Sequence, residues 1–245
     1  VRPMGRTKRF MRWILPFVLV NIVWGWGYDV HRRINQYAAQ MMADQFGIFT
    51  KQHQNELALF APVPDFIKET HREEFHRHFI DADLYEDFPF SGLSICYTDL
   101  LERFGEEKIK KWGAAPWAID EICAILIKMF KQNRWDEALY YMGHPGHYVA
   151  DLHMPLHACA NYNGQNTGNE GVHFRWESRM VDELITRFEP VGEIRQIENY
   201  VDAALNITRD SFQVYPRLLK ADSLARQHLT KAQAKELNTY KKLHY

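Results

Sequence analysis

The chain has 245 residues and a formal net charge of −1; it is 46% hydrophobic, 25% charged and 14% aromatic. That balance excludes a disordered or low-complexity body, and the length allows one large domain or two small ones. Cys96, Cys123 and Cys159 are an odd set of thiols, which excludes a complete internal disulfide framework; Cys123 and Cys159 read as packing residues.

Arg2, Arg6, Lys8, Arg9 and Arg12 precede an apolar run from Trp13 to Trp24, interrupted by Pro16 and Asn21. Val23-Trp24-Gly25 then places a β-branched and a small residue at the −3 and −1 positions of a cleavage site. A basic stretch, a short apolar stretch and a small-residue exit predict a secretory signal peptide over residues 1–25. The apolar run is short for a membrane span. A domain from 26 to 245, secreted or periplasmic and starting at Trp26, is the expectation. Removing the basic leader leaves an acidic body, without the electrostatic footprint of a protein that grips nucleic acid tightly.

Ile34, Tyr37, Ala38 and Met41 recur at helical spacing within a predicted helix from Asp29 to Phe46. Gln52 to Phe60 predicts a short helix that ends near Pro62 and Pro64, leaving Asp65 in a Pro-rich turn. Tyr97 to Trp112 and Pro116 to Gln132 predict helices separated by Gly113. Trp135 to about His153 predicts a long helix stopped by Pro155, with a kink or break at Pro145-Gly146. The Asn- and Gly-rich run from Asn161 to Gly171 predicts a loop. Phe174 to Phe188, Ile194 to Phe212 and Ala221 to Leu237 predict the remaining helices. No stretch alternates as a strand would, so the expected fold is all-α, a single domain with metals held between facing helices.

The chemistry concentrates in His147-x-x-x-Asp151-x-x-x-x-x-His157, followed by His173-x-x-x-Glu177. Residues four apart on a helix share one side, so each such pair can present two ligands to one ion. Imidazole nitrogen and carboxylate oxygen are the donors of hydrolytic zinc sites. His31, Asp65 and His78 are further candidate ligands. His144 reads as a residue behind the ligands, His153 as exposed or behind the ligands, and His71 and His76 as solvated.

In order and spacing, Trp26, His31, Asp65, His78, His147, Asp151, His157, His173 and Glu177 resemble the zinc-dependent phospholipase C and fungal-type single-strand nuclease superfamily. The resemblance runs from Trp26 to about Glu183. It implies three zinc ions. Asp65, His78, His147 and Asp151 would hold the first, and His157, His173 and Glu177 the second. The amine and carbonyl of Trp26, with His31 and a bridging Asp151, would hold the third. It also implies hydrolysis of a phosphodiester by metal-activated water, with Asp65 orienting that water.

Glu177 as the last ligand is similar to the phospholipase C branch, as are Asp29, Phe66 and Phe75. Those three would box a quaternary ammonium headgroup. The five-residue step from Trp26 to His31, Trp26-Gly27 and Trp176-Glu177 are similar to the nucleases, although Met154 stands where their Asp-to-His run usually carries Gln. The expectation is a phospholipase C-like hydrolase, with a single-strand nuclease or 3'-nucleotidase as the alternative. A non-catalytic secreted zinc protein is the third reading. The expected partner is a phosphodiester substrate, a phospholipid headgroup or single-stranded nucleic acid. Transient membrane-surface contact would accompany the former, and no stable protein partner is inferred.

Overall fold

Ile119, Ile122, Leu126 and Met129 recur at spacings of three and four and form one buried face of a helix opened by Pro116. The computed structural model describes residues 27–46, 51–187, 189, 194–230 and 232–233. The predicted signal peptide, its cleavage point and Trp26 lie outside the described residues.

The architecture is all-α, with no strand among the described residues. In chain order the helices are α1 (Tyr28–Phe46), α2 (Gln54–Phe60), α3 (Val63–Thr70), α4 (Arg72–Phe75), α5 (Ala82–Tyr85), α6 (Tyr97–Phe104), α7 (Glu106–Trp112), α8 (Ala115–Lys131) and α9 (Trp135–Leu152). A 3-10 turn at Pro155–His157 follows, then α10 (Val172–Phe174), a π turn (Arg175–Met180), α11 (Val181–Leu184) and α12 (Tyr200–Arg226). Helix α9 packs on α8, α2 and α1, while α12 packs on α8 and the 3-10 turn. Tyr148 and Leu152 of α9 enter one core with Ile80, Phe90, Leu100, Ile109, Ile122 and Leu205. That core backs the side of α9 from which the ligand candidates project.

Four expectations are corrected. Asp65 is not in a turn: it lies in the first turn of α3, with Pro64 at the helix start, where a missing N–H costs nothing. The helix expected from Tyr97 to Trp112 is divided by Gly105, whose φ of 76° no helix accommodates. Helix α9 runs unbroken through Pro145, so His147 and Asp151 sit on the same helix as Ala138 and Leu139. Glycine reconciles that proline with the packing. A Cβ on Gly143 would lie 2.5 Å from the Phe60 carbonyl oxygen, and one on Gly146 would lie 2.2 Å from Asn35 Oδ1. The close approach of α2 and α1 holds both halves of α9 in line. Lastly, the two helices expected after 194 are one from Tyr200, where the Asn199 side chain accepts from the Asp202 amide at 2.8 Å, to Arg226. It continues past Pro216 because Leu218 and Leu219 are buried against Met154, Leu156 and Val172.

Candidate metal centre

Four donor atoms converge below α9. His147 Nε2 and Asp151 Oδ2, one helical turn apart, are separated by 3.2 Å. The segment between α4 and α5 brings His78 Nδ1 to 2.9 Å from Asp151 Oδ2 and 3.0 Å from His147 Nε2. Helix α3 adds Asp65 Oδ1, 3.6 Å from His147 Nε2 and 3.7 Å from His78 Nδ1. Two donors bound to one tetrahedral zinc at ~2.0 Å stand about 3.3 Å apart, so these separations bracket the expected value.

A second set forms where the 3-10 turn faces the helix after the Asn-rich loop. His157 Nε2 lies 3.2 Å from both His173 Nε2 and Glu177 Oε1. His173 Nε2 lies 2.7 Å from Glu177 Oε2. The π turn starting at Arg175 carries Glu177 fully inward, a use of π geometry common at functional sites.

The outer ring nitrogens reveal what the inner ones offer. His147 Nδ1 donates to the Ala61 carbonyl at 2.9 Å, His157 Nδ1 to the His78 carbonyl at 3.0 Å, and His173 Nδ1 to the Tyr162 carbonyl at 3.1 Å. A carbonyl only accepts, so each Nδ1 carries hydrogen and each neutral ring turns an Nε2 lone pair inward. Asp65 Oδ2, Asp151 Oδ1 and both oxygens of Glu177 are buried with no hydrogen-bond partner. The 2.7 Å approach of His173 to Glu177 has the length of a hydrogen bond without its alignment. Lone pairs and carboxylates packed this closely out of water favour a cation among them. The residues therefore fit bound metal: groups of buried His, Asp and Glu lie within metal-binding distance of one another.

His31 is fully buried, its ring stacked on His147 at 3.8 Å between centroids, with Nε2 3.5 Å from Asp151 Oδ1. It also lies within reach of a common ion with Asp65 and His147. Trp26, the other ligand expected beside it, lies outside the described residues.

Electrostatics tie the set together. Burial opposes ionisation of Asp65, but His147, Lys68 and His78 hold its carboxyl below the ordinary value. Asp151, against the same penalty, is held well below by His147 and His157, and Glu177 is lowered by His173 and His157. Burial works against charge on His147 and His157 too, yet Asp151 with Asp65, and Glu177 with Asp151, raise both. His31 is lowered by burial and by His147.

No protein-family model matches this sequence, and no curated protein matches it significantly.

Two residues that sequence reasoning missed belong here. Lys68, one turn after Asp65, has its side chain only 8% exposed and pairs directly with Asp65 Oδ1. Glu74, one turn before His78, stands 3.6 Å from His78 Nε2 and is itself held by the Tyr148 hydroxyl and by Arg77. Both were marked by helical spacing from a ligand. Of the residues expected to box a headgroup, Asp29 is exposed beside Arg32, Phe66 packs on Tyr28, and Phe75 packs on Phe79. The rings of Phe66 and Phe75 are exposed, and so is Tyr162 beside His173. His144 is buried among Tyr140, Tyr141 and Tyr148, its pKa pushed down by burial to about 4. His153 and His71 are exposed and His76 is half-buried. All three cysteines are free: Cys159 is buried, Cys123 half-buried and Cys96 exposed.

Proposed function

We propose that the protein is a zinc-dependent phosphoric ester hydrolase, phospholipase C-like, holding three zinc ions after removal of residues 1–25. The observation that carries the reading is the set of inward Nε2 lone pairs on His147, His157 and His173, among buried carboxylates of which Asp65 Oδ2, Asp151 Oδ1 and both Glu177 oxygens lack hydrogen-bond partners. Bound zinc would supply Lewis acidity toward phosphate oxygens and an acidified water at neutral pH. Asp65, His78, His147 and Asp151 would hold one ion, His157, His173 and Glu177 a second, and Trp26, His31 and Asp151 a third.

The chain's own groups account for the rest. Asp65 stays ionised, and its buried Oδ2, which has no hydrogen-bond partner, would orient the attacking water. Lys68 contributes a fixed positive charge at the same wall: Asp65 and Asp151 raise its pKa despite burial. No serine or cysteine nucleophile is required.

The exposed rings of Phe66, Phe75 and Tyr162 favour a second reading, a single-strand nuclease, because exposed aromatic faces suit base stacking. Both readings share the metal chemistry. The test is metal analysis of the purified mature protein, followed by assays on phosphatidylcholine vesicles and on single-stranded DNA. About three zinc per chain and hydrolysis lost in Asp151→Asn are expected. Zinc-free protein, or full activity in the variant, refutes the reading.

A further inference from the structure

Helix α12 offers no ligand to either donor set, yet its C-terminal part is wired to the second one. Arg175 lies between His173 and Glu177 in sequence and is 7% exposed. Its Nε donates to Asp222 Oδ1 at 2.9 Å and its Nη2 to Asp222 Oδ2 at 2.8 Å, a two-pronged pair with fixed orientation. The same guanidinium donates to the carbonyls of Glu170 at 2.9 Å and Asn169 at 3.2 Å. Asn169, 1% exposed, places Nδ2 at 2.9 Å from Asp222 Oδ2, 2.8 Å from Ser223 Oγ and 3.0 Å from the Leu219 carbonyl.

The loop between Asn161 and Gly171 transmits this anchoring to a ligand. Asn163 Oδ1 accepts from the Gly171 amide at 3.0 Å, and Asn161 Oδ1 from the Asn166 amide at 2.9 Å. Gly164 has φ +70°, and a Cβ there would lie 2.8 Å from the Asn169 carbonyl oxygen. The loop therefore has one compact shape, seated on α12 through Asn169. Within it sits Tyr162, whose carbonyl accepts from His173 Nδ1 and so fixes that ring. Asp222 thus reaches the second donor set by two routes: through Arg175 to the helix bearing His173 and Glu177, and through Asn169 to the carbonyl that orients His173.

We propose that Asp222, acting through Arg175 and Asn169, is a positioning residue that sets the metal affinity of the His157–His173–Glu177 site. The proposal rests on the metal reading above and adds a role for a helix that supplies no ligand. Groups behind metal ligands change affinity by roughly 10–100-fold when removed. Asp222→Asn keeps the size of the side chain and removes its charge, so it is expected to weaken one zinc-binding step by about 10-fold and leave the other steps unchanged.

The experiment titrates zinc into metal-stripped mature protein against a chromophoric chelator. His173→Ala identifies which step belongs to the second site. Leu205→Ala, in the main core of the same helix, reports what general loosening of α12 does. Ser223→Ala removes one partner of Asn169 alone and carries the test if Asp222→Asn does not fold, with a smaller loss at the same step. Selective weakening of the step lost in His173→Ala supports the proposal. Unchanged affinity, equal weakening of all steps, or the same selective loss in Leu205→Ala overturns it. Wild-type protein that binds no zinc overturns the metal reading and this proposal with it, an outcome distinct from the others.

Discussion

Gly143→Ala tests whether close approach of two backbones is what aims His147. A Cβ at this position would meet the Phe60 carbonyl oxygen at 2.5 Å, its carbon at 2.6 Å and the Ala61 nitrogen at 3.0 Å. Those are backbone atoms, so no side-chain rotation relieves the contact. Restoring ordinary van der Waals distance requires α9 to part from the α2–α3 junction by about 1 Å. The Ala61 carbonyl accepts from His147 Nδ1 across the same seam at 2.9 Å, and a shift of about 1 Å would take that pair beyond hydrogen-bond length. Overpacking costs roughly 1–3 kcal/mol. A buried donor left without its acceptor costs roughly another 1–3 kcal/mol, and alanine's better helix propensity returns about 1 kcal/mol. The net loss of about 1–5 kcal/mol is a large fraction of a domain's usual 5–15 kcal/mol. Urea unfolding of metal-stripped protein measures it, and zinc competition should show roughly a 10–100-fold weaker first site. Wild-type stability together with wild-type zinc affinity would refute the argument.

Zinc affinity should rise with pH above about 6.5, the ordinary histidine value, because His147 and His157 hold protons more tightly than free histidine and metal must displace them. In metal-free protein the sign reverses: their raised values add stability that is complete below about 6.5 and is lost as pH climbs through the folded values. Zinc titrations and urea midpoints between pH 6 and 8.5 check both trends, and flat profiles contradict them. Lys68→Met leaves Asp65 buried without its cation and should cost metal-free protein roughly 3–5 kcal/mol; an unchanged urea midpoint would count against the pairing. Asp81 is buried, and burial followed by Asp83 pushes its pKa up to about 7. Its raised value makes the native state lose stability as pH rises from about 4, the ordinary carboxyl value, to about 7, so Asp81→Asn should raise Tm more at pH 8.5 than at pH 5. Equal effects at both pH values would show that the carboxylate is not the cause.

The sequence carried what is periodic and local. The apolar spacing of α1 predicted that helix, and four-residue spacing paired His147 with Asp151 and His173 with Glu177, because a helical turn brings such residues together wherever the helix lies. Spacings of three and four marked Lys68 and Glu74, but only for a reader who already took Asp65 and His78 as candidate ligands. Tertiary structure decided what depends on contacts distant in sequence. Asp65, His78 and Asp151 meet only once α3 and the α4–α5 segment pack against α9. Carbonyls of Ala61, His78 and Tyr162 set three histidine tautomers, and a backbone carbonyl leaves no mark in composition. Proline misled locally at Pro145, where burial on both sides outweighed one missing backbone donor. The tie from Asp222 to the second donor set links groups far apart in the chain, and only the packed helices bring them within hydrogen-bond length.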